Sequence, residues 1–81
     1  MKARVFVTLK STVLDPQGQT IRSALVDLGH KAITDVRQSK HFEISLSSDL
    51  TRAQAEQEVD TIAREVLTNP VIEEYRIEFT A

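Results

Sequence analysis

From Ala3 to Leu9 apolar and polar side chains alternate, with Ala3, Val5, Val7 and Leu9 on one side of an extended chain and Arg4, Phe6 and Thr8 on the other. That is the period of a strand with one buried face. The pattern changes at Leu14-Asp15-Pro16-Gln17-Gly18. Asp before Pro predicts a helix start: the carboxylate can accept from the free N–H groups of the first turn, and proline at the first helical position lacks an N–H it would not use. A helix from Pro16 to Leu28 follows, with Ile21, Ala24, Leu25 and Leu28 spaced as one apolar stripe and Gly29 placed to stop it. Gly18 weakens such a helix by about 1 kcal/mol relative to alanine. It reads as a tolerated position, the alternative being a close backbone approach.

Lys31 to Arg37, with the β-branched Ile33, Thr34 and Val36, predicts a second strand, and Gln38-Ser39-Lys40 a tight connection into a third, His41 to Leu46. In that third run Phe42, Ile44 and Leu46 alternate with His41, Glu43 and Ser45. Thr51 with Gln54 has the spacing of a capping box. The helix it opens gathers Ala55, Val59, Ile62, Ala63, Val66 and Leu67 on one face and Arg52, Glu56, Asp60 and Arg64 on the other, where i,i+4 pairs can form. Asn69-Pro70 ends it. Tyr75, Ile77 and Phe79 alternate with Glu74, Arg76 and Glu78 in a last strand.

The order strand, helix, strand, strand, helix, strand predicts an α+β, ferredoxin-like βαββαβ sandwich spanning residues 1–81 as a single domain: a four-stranded antiparallel sheet with two helices on one face. The uncovered face then carries Arg4, Phe6, Thr8, His41, Glu43, Ser45, Glu74, Arg76 and Glu78. Phe6 is the aromatic with no helix above it, and it is assigned to a subunit contact. An edge strand offers a second route to self-association.

Composition sharpens this. An 81-residue chain is near the lower limit for a self-sufficient core, and with no cysteine the usual supplement of disulfides is absent, which leaves association as the expected source of extra stability. The formal charge of −2, with 10 Lys and Arg against 12 Asp and Glu, provides no general positive field, so nucleic acid is not an expected partner. No apolar run reaches membrane-spanning length, and no membrane contact is expected; a cytoplasmic location is the simplest reading. His30 and His41 stand apart from any catalytic constellation, and two glycines cannot build a phosphate cradle. No catalytic, cofactor-binding or metal-ligating residue is assigned. The arginine-and-loop motif of acylphosphatases and the stacking aromatics of RNA-recognition domains, two activities hosted by this topology, are missing from the positions that would carry them.

Three segments carry a resemblance. Lys2-Ala3-Arg4-Val5-Phe6-Val7-Thr8-Leu9-Lys10, Val13-Leu14-Asp15-Pro16-Gln17-Gly18 and Asn69-Pro70-Val71-Ile72-Glu73-Glu74-Tyr75-Arg76 resemble the PurS family, small subunits of the multi-subunit phosphoribosylformylglycinamidine (FGAM) synthase. Ser11-Thr12 stands where that family usually has Pro-Gly, and Gln38-Ser39 replaces a glycine-containing tip. The resemblance implies an accessory subunit of an ATP-dependent glutamine amidotransferase ligase, without an activity of its own. It would bridge a glutaminase (PurQ) and a synthetase (PurL), assist ammonia transfer between them, and associate with itself as a dimer or tetramer. ATP and magnesium would belong to the synthetase, with no cofactor in this chain. Candidate subunit or partner contacts are Phe6, Asp15, Gln17, Gly18, Asn69 and Glu73. The alternative for Asp15, Pro16, Asn69 and Pro70 is that they are only helix punctuation. The alternative for the whole chain is a self-associating regulatory domain that binds a small metabolite.

Overall fold

The computed structural model describes residues 1–80. The elements are β1 (Lys2–Leu9), α1 (Pro16–Asp27), β2 (Lys40–Ser45), α2 (Arg52–Ile62) running into a π-helical turn (Ala63–Leu67), and β3 (Glu73–Thr80). β1 lies between β2 and β3 and is antiparallel to both. The register sets Val5 beside Phe42 and Ile77, and Ala3 beside Ile44 and Phe79, so the apolar alternates of the strands share one face as their spacing requires. Ala3, Val5, Val7, Val59 and Ala63 are buried at the centre, with Phe42, Ile44, Leu46, Leu67, Tyr75, Ile77 and Phe79 packed half-buried around them.

Local chemistry sets the helix ends. Asp15 caps α1 by accepting from the Gly18 N–H, with proline in the first turn. At the other end the His30 N–H reaches the Leu25 carbonyl at 2.9 Å and the Gly29 N–H the Val26 carbonyl at 3.0 Å. Gly29, at φ 102°, supplies the left-handed residue that this Schellman closure demands. Thr51 and Gln54 form the reciprocal capping box of α2. Along α2 and its π-helical extension, Arg52 pairs with Glu56 and Arg64 with Asp60, both at i,i+4.

Three sequence expectations are corrected. The sheet of the single chain has three strands, because residues 31–37 do not join it. A two-residue hairpin turn needs positive φ, and Gln38-Ser39-Lys40 contains no glycine; no residue other than glycine takes positive φ among the described residues. The tight two-residue turn is thereby disfavoured, and the segment lies beside α1 without pairing with β2. The two helices also do not share the sheet: α1 contributes no side chain to the core, and Gly18 is its one buried residue. Three ties explain this. Arg22 Nε donates to the Ile33 carbonyl at 3.0 Å, the Gln38 N–H donates to Asp15 Oδ2 at 2.7 Å, and Gly18 lies so close to Val36 that a Cβ there would sit 2.1 Å from the Val36 oxygen. Gly18 is thus a point of close backbone approach, not a merely tolerated glycine. Helix and return segment form one arm outside the core.

Candidate functional site

At the end of the sheet where β1 stops and β2 and β3 begin, several connections meet around a cleft of about 170 Å³. Val7, Leu9, Asp15, Gln17, Gln38, Ser39, Lys40 and Glu73 line it. Asp15 is only 4% exposed, and its carboxylate is used within the chain. The Gln38 N–H, then the Gly18 N–H, hold its pKa below the ordinary 3.8, with the Arg37 charge helping and desolvation opposing.

Across the cleft Glu73, its side chain 11% exposed, pairs with Lys40 Nζ at 3.4 Å. Its other oxygen accepts from the Asn69 N–H at 2.8 Å. Asn69 in turn accepts from Val71 through its side chain and from Ile72 and Glu73 through its carbonyl, which closes the turn left by the missing helical carbonyl partners. Lys10 stitches that turn to β1: its N–H donates to the Ile72 carbonyl at 2.9 Å and its ammonium to the Pro70 carbonyl at 2.8 Å. Arg37 then donates to the Lys10 carbonyl at 3.0 Å. The result is a polar knot in which Lys10, Asp15, Arg37 and one oxygen of Glu73 each hydrogen-bond to backbone groups. Leu14, Val71 and Ile72 leave apolar surface exposed in the connections that meet there, Val71 at 78%.

Five of the candidate residues therefore converge. Asp15, Gln17, Gly18, Asn69 and Glu73 come together at this end, Asp15 and Gly18 as inward structural members and Gln17 as an exposed side chain. Phe6 lies elsewhere, on the open sheet face. There it stacks on His41 with ring centroids 4.9 Å apart, and the Arg76 guanidinium sits 4.5 Å from its centroid on the third strand. Arg76 also pairs with Glu78. Phe6 is the middle of a three-strand row at one register position, an arrangement that holds a planar, amphipathic patch in place. Lys10, Arg37, Gln38 and Lys40 were not singled out in the sequence. The available signal was Asp15, a carboxylate with room for a second donor beyond its cap.

A small α+β body with a hydrogen-bonded loop knot at one end and a charged and aromatic open sheet face belongs to a class of small domain that offers surfaces for contact with other chains. The family model for PurS, phosphoribosylformylglycinamidine (FGAM) synthase, matches residues 2–81. The PurS subunit of Mycobacterium leprae is 43% identical over 94% of this chain and 91% of its own, and that of Synechocystis 41% identical over 96% and 77%. The crystal structure of Methanocaldococcus jannaschii PurS superposes with a TM-score of 0.83 at 35% identity, covering 95% of this chain and 92% of that one. A chain of the Thermotoga maritima PurLQS structure gives 0.75 at 30% identity, covering 95% and 93%. This chain belongs to the PurS family and is a PurS subunit of FGAM synthase in purine biosynthesis.

Proposed function

We propose that this chain acts as the non-catalytic bridge of its complex, docking a PurQ glutaminase against a PurL synthetase so that ammonia passes between them. The observation that carries this reading is the likeness, over nearly the whole of both chains, to a chain of the PurLQS structure. The complex converts formylglycinamide ribonucleotide, glutamine and ATP into formylglycinamidine ribonucleotide, glutamate, ADP and phosphate. ATP and magnesium belong on the synthetase, and the assembly works in the cytoplasm. The physical need is that ammonia released into water takes up a proton and ceases to be a nucleophile, so the two sites must be joined with water excluded.

The partner contacts fall on the loop knot, with Gln17 and the Asn69–Glu73 turn presented on a scaffold whose own hydrogen bonds are already satisfied. Self-association accompanies the bridge. The solved PurS structures cover this chain almost end to end, and the surface of the chain exceeds what a compact monomer of its mass displays. The Gln17→Ala and Glu73→Ala variants test the docking. Both should lower the fraction of chain that co-sediments with PurL and PurQ, and glutamine-dependent synthesis should fall further than synthesis supplied with ammonia. Unchanged sedimentation with unchanged glutamine-dependent activity removes these positions from the interface.

A further inference from the structure

On the arm, α1 and the return segment flank a separate cleft of about 330 Å³, lined by Gln19, Arg22 and Ser23 from the helix and Thr34 and Asp35 from the segment. All five side chains are polar, and none belongs to the core or to the cleft at the loop knot. Ile21 of the apolar stripe lines a different cleft together with Gln17 and Gln38, so the polar cleft has its own flank of the helix.

Arg22 is the fixed member. It is half-buried, and its Nε donates to the Ile33 carbonyl at 3.0 Å, which orients the guanidinium plane and leaves the Nη pair without a partner among the described residues. Asp35 is exposed on the facing segment. Neither residue enters any ion pair of the described residues, with the other or elsewhere. A cation and an anion thus face one cleft without neutralising each other.

That arrangement selects a ligand by charge. A simple anion is attracted by Arg22 and repelled by Asp35, and a simple cation meets the reverse. A molecule that carries both charges side by side satisfies both. In an α-amino acid the nitrogen and the carboxyl carbon are about 2.5 Å apart, and two Nη donors match a carboxylate bidentately. The Gln19 amide and the Ser23 and Thr34 hydroxyls offer donors and acceptors to a polar, uncharged side chain. No aromatic or aliphatic side chain lines the cleft, which leaves the apolar face of a nucleobase uncovered.

We infer that this cleft binds a free α-amino acid, its carboxylate on the Arg22 Nη pair and its ammonium on Asp35. The ligand touches α1 and the return segment together, so it clamps the two halves of the arm and stabilises them by mass action. The inference stands apart from the bridging role, because binding is read on the chain alone.

The isotope-labelled chain is titrated at neutral pH with L-glutamine, L-serine, N-acetyl-L-glutamine, sodium acetate and ammonium chloride, and followed by amide NMR shifts. The expected result is saturable shifts at residues 19–23 and 33–36, with both amino acids binding at least tenfold more tightly than the other three probes. Tm should rise with the amino acids and stay unchanged with acetate and ammonium. Asp35→Asn, an exposed change of nearly equal shape, should weaken amino-acid binding at least tenfold with circular dichroism retained. No saturable shift at millimolar amino acid overturns the site. Acetate or N-acetyl-L-glutamine binding as tightly as glutamine reduces it to an anion contact and overturns the recognition of a zwitterion. An Asp35→Asn chain that binds like the wild type overturns the role of the carboxylate.

Discussion

Replacing Gly18 with alanine sets two effects of known size against each other. In an ordinary helix the change removes the backbone entropy cost of glycine and stabilises by up to about 1 kcal/mol. Here the new Cβ would sit 2.1 Å from the Val36 oxygen, 2.9 Å from the Val36 carbonyl carbon and 3.0 Å from Asp15 Oδ2. The obstruction is backbone, so no side chain can rotate out of the way. Relief requires the return segment to move by about the overlap, roughly an ångström, and overpacking of that kind costs about 1–3 kcal/mol. The segment cannot move alone, because Gln38, two residues on, donates to the same Asp15. The net expectation is destabilisation by about 1–2 kcal/mol, a fall in Tm of about 4–16 °C for a domain of this size. Amide exchange at Gln38 should accelerate together with it. Gly29→Ala is the control: its Cβ meets nothing within 4 Å, but its φ of 102° still strains alanine, so Tm falls while Gln38 exchange stays slow. A Gly18→Ala variant more stable than the wild type, with Gln38 exchange unchanged, refutes the close approach.

Thr51→Ala removes the hydroxyl that accepts the Gln54 N–H at 3.2 Å and should cost about 1 kcal/mol, read as a drop of about 4–8 °C in Tm. The partner half of the capping box, Thr51 N–H to Gln54, survives this change. Acid should destabilise the arm in a defined direction. The Asp15 carboxylate is held below its ordinary 3.8 in the fold, so its contribution is fully present above that value and is lost as the pH falls through the lower, folded value. Denaturant titrations of wild type and Asp15→Asn should therefore diverge above about pH 4 and converge in stronger acid, and parallel curves through that range refute the assignment.

What the sequence made legible was chemistry confined to one element. The Asp15-Pro16 start of α1, its Gly29 stop, the Thr51 and Gln54 box and the Arg52–Glu56 pair each rest on neighbours within a turn, and each appears as its spacing requires. The facing rows of β1, β2 and β3 were legible too, since alternation fixes which side chains share a face. Residues 31–37 are different. Their β-branched side chains favour extended backbone, but Lys31 and Ala32 lie in a turn and residues 33–37 take no regular structure, because a run becomes a strand only when a neighbour pairs with it. Gly18 was misread because its reason lies eighteen residues downstream at Val36. The convergence of Asp15, Gln17, Asn69 and Glu73 follows from strand register, which no local pattern reports.

The apolar stripe of α1 shows the same division and explains the shape of the chain. Ile21, Ala24, Leu25 and Leu28 encode an amphipathic helix, and amphipathicity says that a face will be buried without saying against what. If the stripe were meant for its own sheet, the ties from α1 to Ile33, Val36 and Gln38 would oppose folding, since they hold the helix to the return segment and away from the core. Placed on a partner surface, the same ties become useful. They stiffen the arm before it docks, so the ordering entropy of some twenty residues is lost within the chain and does not weaken the association. A core whose fully buried large side chains are Val5, Val7 and Val59 can then remain small, because the apolar surface the chain leaves uncovered is the surface on which assembly draws.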